Sequence, residues 1–389
     1  MTASMMKARP LALLTLALLL GHAATAHAQS PGRTRTKRSA TNAQAAARSN
    51  VEFEQAFKLG DEARLAGRLD EAVESYTKAL HVRPKWPEGW WYLGAIFYEK
   101  DLYAQAREAF TNLVALEPKR GPAWGMLGLC EFQTRDYERA VISLQRGRTL
   151  GLAGNQELES VIRYHTALLY IRFEQFEVAY EILKEFLRIG NDSPKIVEAF
   201  GLTMLRMPFL PNEIPPDKRE QVLLAGQAGL YMGARRLDEA RTAFDTLLAR
   251  YPDAPNIHYA FGVFLMNQDA DAALKEFRRE LEISPSHQPA MVQMAFEYLK
   301  RGDYDTALPL AEKSVELGPK MYPARNVLGR LLLQLGQVDR AVKELEEGVR
   351  LAPESPEMHF ALSRAYARAG RQADAKREQD LFKQLQEQY

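Results

Sequence analysis

Cysteine is almost absent. Cys130 is the only one in 389 residues, so no disulfide can form within the chain and its stability has to come from packing. Cys130 lies in an apolar helical stretch and is read as a small semi-buried residue. Metal-binding signatures are missing too: there is no His-Glu-x-x-His and no paired-cysteine spacing, and His81, His165, His258, His287 and His359 are scattered. No Gly-x-Ser-x-Gly elbow and no Gly-x-x-x-x-Gly-Lys phosphate loop occurs. Gly226, Gly229 and Gly233 have no strand before them and fit close helix packing instead. Carboxylates lie mainly beside Lys and Arg, as on solvated helix faces. The sequence therefore points to no catalytic residue, no metal and no cofactor.

Charge of one sign is also lacking. The formal net charge is +1, with 26% charged and 46% apolar residues, which fits a folded soluble chain with no global attraction to nucleic acid. Its distribution is uneven: from Ser49 onward there are 44 basic and 50 acidic residues, whereas Gln29 to Asn50 holds Arg33, Arg35, Lys37, Arg38 and Arg48 and no acid. That 29–50 stretch, poor in apolar residues, reads as a disordered basic tail. It is either a solvated linker or an electrostatic tether, through Arg33, Arg35, Lys37 and Arg38, to lipid headgroups, cell-wall polymer or an acidic partner. The one long apolar run, Pro10 to Leu20, falls short of the roughly 20 residues that span a bilayer. With Lys7 and Arg9 before it and Ala26-His27-Ala28 after it, residues 1–28 read as a signal peptide cleaved between Ala28 and Gln29, which sends the chain to the periplasm or outside.

What the sequence does have is a 34-residue beat. With Phe53 as position 1, position 20 is alanine at Ala72, Ala106, Ala140, Ala240, Ala307, Ala341 and Ala375. In the unit starting at Pro87, Trp90, Leu93, Gly94 and Phe97 form one apolar helical stripe, and Ala106, Phe110 and Leu113 form a second. Each unit is thus a pair of helices. Position 15 carries Gly67, Gly302, Gly336 and Gly370, suited to ending the first helix. Asp70, Asp238, Asp305 and Asp339 follow three residues later, at the positive start of the second. Pro84, Pro118, Pro252, Pro285, Pro319 and Pro353 at position 32 stop it.

Large apolar at 4, Leu-Gly at 7 and 8, aromatic at 11, Ala at 20 and Pro at 32 resembles the tetratricopeptide repeat, as in Trp90-Leu93-Gly94, Trp124-Leu127-Gly128 and Leu328-Gly329. The resemblance implies an all-α, right-handed superhelical solenoid of antiparallel helix pairs: about nine units, near 53, 87, 121, 160, 221, 254, 288, 322 and 356, and one orphan helix at 194–207. A front array of 51–207 would meet a rear array of 218–389 across 208–217, where Pro208, Pro211, Pro215 and Pro216 crowd together as a rigid loop, a hinge or a binding loop. The unit at 254 reads as one residue short in its turn.

In such arrays, the resemblance implies, positions 2, 5, 9, 12 and 13 of the first helix face a concave groove. Those positions hold Trp91, Tyr98, Phe132, Tyr164, Ile171, Tyr259, Phe296 and Leu299, then Lys300, Arg330, Arg364 and Arg368. An aromatic groove leading to a basic end suits a protein or peptide segment with apolar anchors and an acidic or C-terminal carboxylate group. The paired Lys and Asn of chaperone-binding members are not reproduced; Asn326 is an isolated match. The function implied is a non-catalytic scaffold in envelope assembly, secretion or polysaccharide export; the alternative is an accessory subunit presenting glycan or peptide to an envelope enzyme. Nucleic acid is not an expected partner.

Overall fold

The computed structural model describes residues 37–387, with side chains from residue 47. Among these residues there are 19 α-helices and no strand. They pack as two compact units, one ending at Leu183 and one beginning at Lys184. In the first, α1 (Lys37–Leu65) packs on α2 (Leu69–Val82), α3 (Pro87–Glu99) on α4 (Tyr103–Leu116), and α5 (Gly121–Gln133) on α6 (Tyr137–Leu150); α7 (Gln156–Arg172) and α8 (Phe176–Arg188) follow. The second holds α9 (Pro194–Met204), α10 (Arg219–Gly233) with α11 (Leu237–Arg250), α12 (Ile257–Leu265) with α13 (Ala270–Ile283), α14 (Gln288–Arg301) with α15 (Tyr304–Leu317), α16 (Tyr322–Gln334) with α17 (Val338–Leu351), and α18 (Pro356–Arg368) with α19 (Gln372–Gln386). This is an all-α solenoid of helix pairs.

The recurring beat is the beat of the helix-pair interface. The position-20 alanines from Ala72 to Ala341 are fully buried, and Ala375 in α19 is 9% exposed. The glycine at position 8 lets the large residue at position 24 come in. A Cβ on Gly60 would sit 2.8 Å from the Tyr76 ring, one on Gly94 2.8 Å from Phe110, and one on Gly329 2.5 Å from Leu345. Tyr76, Phe110, Leu345 and Phe277 are thereby almost wholly buried, and each such side chain contributes about 1.5–3 kcal/mol.

A second device ties one unit to the next. The side chain six residues after the inter-repeat proline donates to that proline's carbonyl: Trp90 Nε1 to Pro84 at 2.9 Å, Trp124 Nε1 to Pro118 at 3.0 Å, Arg325 Nε to Pro319 at 2.9 Å. His258 and His359 place Nε2 2.8 Å from the carbonyls of Pro252 and Pro353. A carbonyl at a helix end has no partner within its own helix, and the next unit's first helix supplies one.

Position 15 is left-handed whether or not it is glycine. Gly67, Gly302, Gly336 and Gly370 have φ between 72° and 78°, but Asp101, Arg135, Glu174 and Arg235 take the same place at 58° to 61°. Each of the four non-glycine turns costs about 1–2 kcal/mol, which the packing of the flanking helices offsets. The unit at 254 differs from the others in its turn: α12 has nine residues and passes to α13 with no left-handed residue between them.

Three features depart from the sequence reading. The first helix begins at Lys37, so the later part of the 29–50 stretch is helical rather than disordered; its Ala-rich run from Ala43 to Ala47 favours helix intrinsically. The signal peptide, the Ala28–Gln29 cleavage point, Arg33 and Arg35 lie outside the described residues, as do the side chains of Lys37 and Arg38. The boundary between the compact units falls inside α8 rather than at the prolines. Residues 208–217 belong to the second unit and form two short 3-10 turns, Pro211–Glu213 and Pro216–Lys218, with Leu210 and Ile214 buried beneath. Finally, α9 has no second helix in register, yet it is not alone. It lies backbone to backbone on α10, where a Cβ on Gly201 would come 1.9 Å from the Val222 carbonyl oxygen and one on Gly226 2.0 Å from that of Val197.

Candidate functional site

The groove residues of the first unit are more enclosed than a free recognition surface. Trp91 is 8% exposed; its ring meets Phe110 edge-on at 5.7 Å and carries the Arg120 guanidinium at 4.7 Å. Tyr98 is half-buried and edge-on to Tyr103 at 5.3 Å. Burial lifts both phenol pKa values, that of Tyr103 to about 12. Phe132 packs edge-on against Tyr137 at 5.6 Å and His165 at 4.7 Å, and the buried Tyr164 meets His165 at 5.6 Å. These aromatics bridge neighbouring helices as well as lining a face.

In the second unit Tyr259 is 9% exposed, against His287 at 4.7 Å and Phe277 at 6.0 Å. Of the other residues read from the sequence, Phe296, Arg330, Arg364 and Arg368 are brought together. Arg330, Arg364 and Arg368 line a cavity of about 490 Å³ with Leu299, Asn326, Leu333, Gln334, Glu357, Phe360, Ala367 and, from α19, Phe382 and Gln386. Asn326, Arg330, Leu333 and Gln334 stand at positions 5, 9, 12 and 13 of α16, and Phe360, Arg364, Ala367 and Arg368 at the same positions of α18. The cavity is lined from the same repeat positions of consecutive units.

Cations and aromatic rings stand side by side in and next to the cavity. The Arg330 guanidinium lies 5.2 Å from the Phe296 ring centre and Lys300 Nζ 5.7 Å from it, while Arg364 lies 6.0 Å from Phe360, contacts worth about 0.5–1 kcal/mol each at exposed sites. Arg368 donates to the Leu333 carbonyl at 2.8 Å and so closes the C-terminal end of α16. Burial, and then the charge of Arg364, hold the Arg330 pKa below the usual arginine range. Arg330 and Arg364 therefore share one cavity with Arg368.

The sequence reading missed Phe360 and Phe382. Phe360 is 46% exposed, with its ring 5.2 Å from that of Phe382. Position 5 was already assigned to the groove, so Phe360 was legible from the register. Phe382 was not, because it comes from the second helix of its pair, to which the register assigned no groove position.

Helix pairs stacked at this spacing, with an open face lined at fixed positions, define a helical-repeat scaffold for binding other proteins. The chain belongs to the tetratricopeptide repeat family, whose patterns match residues 60–101, 97–151, 226–287 and 298–364. Similar curated proteins include the general transcriptional corepressor trfA of Dictyostelium discoideum, 29% identical over 36% of this chain and 10% of its own length. BBSome complex member BBS4 of Bos taurus is 23% identical over 61% of this chain and 48% of its own, and the human protein O-mannosyl-transferase TMTC3 is 24% identical over 57% and 25%. The chain thus spans from a tenth to about half the length of these relatives. Among solved structures, MamA from Desulfovibrio magneticus RS-1 is 22% identical, covering 43% of this chain and 96% of its own, with a TM-score of 0.39.

Proposed function

We propose that this protein is an exported, non-catalytic scaffold that holds a segment of a partner protein in the groove of its second unit, in cell-envelope assembly, secretion or polysaccharide export. The observation that carries the reading is the cavity at groove positions of α14, α16 and α18, with an exposed aromatic side chain at its mouth and unneutralised arginines in its wall. Such a site offers apolar area and charge-assisted hydrogen bonds to an extended chain. The basic start, apolar run and Ala26-His27-Ala28 of the N-terminus support export.

A photo-crosslinking amino acid placed at Phe360 tests the groove, with the exposed Lys343 of α17 as the control. In the native cell, the Phe360 position is expected to capture one defined protein that the Lys343 position does not. Capture from Lys343 alone would refute the groove reading. Fractionation of the same cells, with the mature N-terminus sequenced, checks export and cleavage before Gln29.

A further inference from the structure

Several arginines of the second unit are held by carboxylates, and two of those in the cavity are not. Arg301 holds Asp271 at 2.6 Å, Arg340 holds Glu312 at 2.8 Å, Arg350 holds Glu347 at 2.5 Å, Arg371 holds Asp374 at 2.7 Å, and Arg325 pairs with Glu344. Arg330 and Arg364 have no carboxylate partner among the described residues; their contacts are the aromatic rings and one another. The one acid among the lining residues is Glu357, already accepting a hydrogen bond from Ser355 Oγ at 2.9 Å. Three guanidiniums against one carboxylate leave an excess of two positive charges.

We infer that the cavity is a built subsite for an acidic peptide segment in which two carboxylate side chains flank one apolar side chain. The inference rests on the groove reading above and names what the groove selects. Two carboxylates match the excess charge, one on Arg330 and one on Arg364, each within reach of bidentate pairing. The apolar side chain lies against Phe360 and Phe382, whose rings meet at 5.2 Å. A volume of about 490 Å³ is in the range of natural ligand sites and accommodates a short stretch of chain, not a folded domain. Binding relieves the repulsion between Arg330 and Arg364, so the site gains from its ligand what it lacks without it. A single chain-terminal carboxylate would leave one of the two arginines unmatched. Nucleic acid is disfavoured because the chain from Ser49 onward carries more acidic than basic residues.

Fluorescence polarisation with the full chain tests this, using a labelled peptide Gly-Asp-Phe-Asp-Gly whose C-terminus is amidated. The expected result is saturable binding that weakens as salt rises. Arg330→Gln and Arg364→Gln are each expected to weaken it about tenfold or more, since a charge-assisted hydrogen bond is lost. The peptide with both Asp replaced by Asn is expected to bind at least as poorly. Arg364 is exposed, so its variant keeps the fold; circular dichroism verifies this for both. Binding by both variants as tight as that of the wild-type chain overturns the proposal. So does binding of Gly-Asn-Phe with a free C-terminus in preference to the amidated acidic peptide, which would make the site a reader of chain ends. If the crosslink from Phe360 persists while the acidic peptide fails to bind, the acidic specificity falls and the groove reading stands.

Discussion

Replacing Gly226 with alanine tests the least expected contact in the fold, that of α9 on α10. The added methyl would lie 2.0 Å from the Val197 carbonyl oxygen, and the obstacle is backbone that no rotamer change can move. An ordinary carbon–oxygen contact needs about 3.3 Å, so the two helices must part by roughly 1.3 Å. A radial gap of about 0.5–1 Å already forfeits a quarter to a half of the dispersion energy between packed atoms, and the loss extends to the Gly201–Val222 contact one turn away. Overpacking of this kind costs about 1–3 kcal/mol, at times more; a backbone obstacle puts it at the upper end. Against this, alanine gains about 1 kcal/mol over glycine in a helix interior. Packing wins, and the net expectation is a loss of about 2 kcal/mol. Repeat arrays unfold locally, so the assay is urea unfolding by circular dichroism together with hydrogen exchange of the α9 and α10 amides. Gly67→Ala is the control: no atom lies within 4 Å of its added Cβ and only the φ of +72° opposes it, a cost of about 1–2 kcal/mol confined to the first unit. A Gly226→Ala protein as stable as wild type, with unchanged exchange in α9, would refute the close packing.

Other perturbations probe the rest of the array. Glu131 occupies position 11, where other units place Phe97 or Tyr366; burial lifts its pKa, and its Oε2 is buried with no hydrogen-bond partner. A raised folded pKa means stability present below the unfolded value, about 4.3, and lost as pH rises through the folded value, so Glu131→Gln should stabilise the protein by about 1 kcal/mol at pH 7 and not at pH 4. His258 behaves with the same sign: burial opposes its charge, but the hydrogen bonds to Glu276 at 2.7 Å and to the Pro252 carbonyl outweigh it and lift the pKa. Its stabilisation should be complete below about pH 6.5 and fade as pH rises through the folded value; thermal melts of His258→Phe should lack that component. Trp124→Phe keeps the apolar surface and removes the donor to Pro118, so chemical denaturation should register a loss of about 1 kcal/mol.

Much of this was readable because the repeat is local. Ala106 at position 20, Gly94 at 8 and Phe110 at 24 meet across one interface, and any chain with that spacing buries the same stripe. The register placed Arg330, Arg364 and Arg368 on a common face before any coordinate did. It could not say that Trp91, Tyr164 and Tyr259 are enclosed, since an aromatic at a groove position is open or covered according to how the next helix leans. Nor did it signal that Asp101 and Arg135 adopt the left-handed turn, because their own preferences run against it and the flanking helices impose it.

The sequence by itself determined the helices, their pairing within units and the face each turns outward, because interactions within one 34-residue unit settle all three. Only the tertiary structure decided that α9 takes α10 as its partner and that Arg330 and Arg364 stand together with no carboxylate paired to either among the described residues. Those outcomes depend on the distance of approach between successive units, and a repeat pattern specifies which residues meet but not how closely.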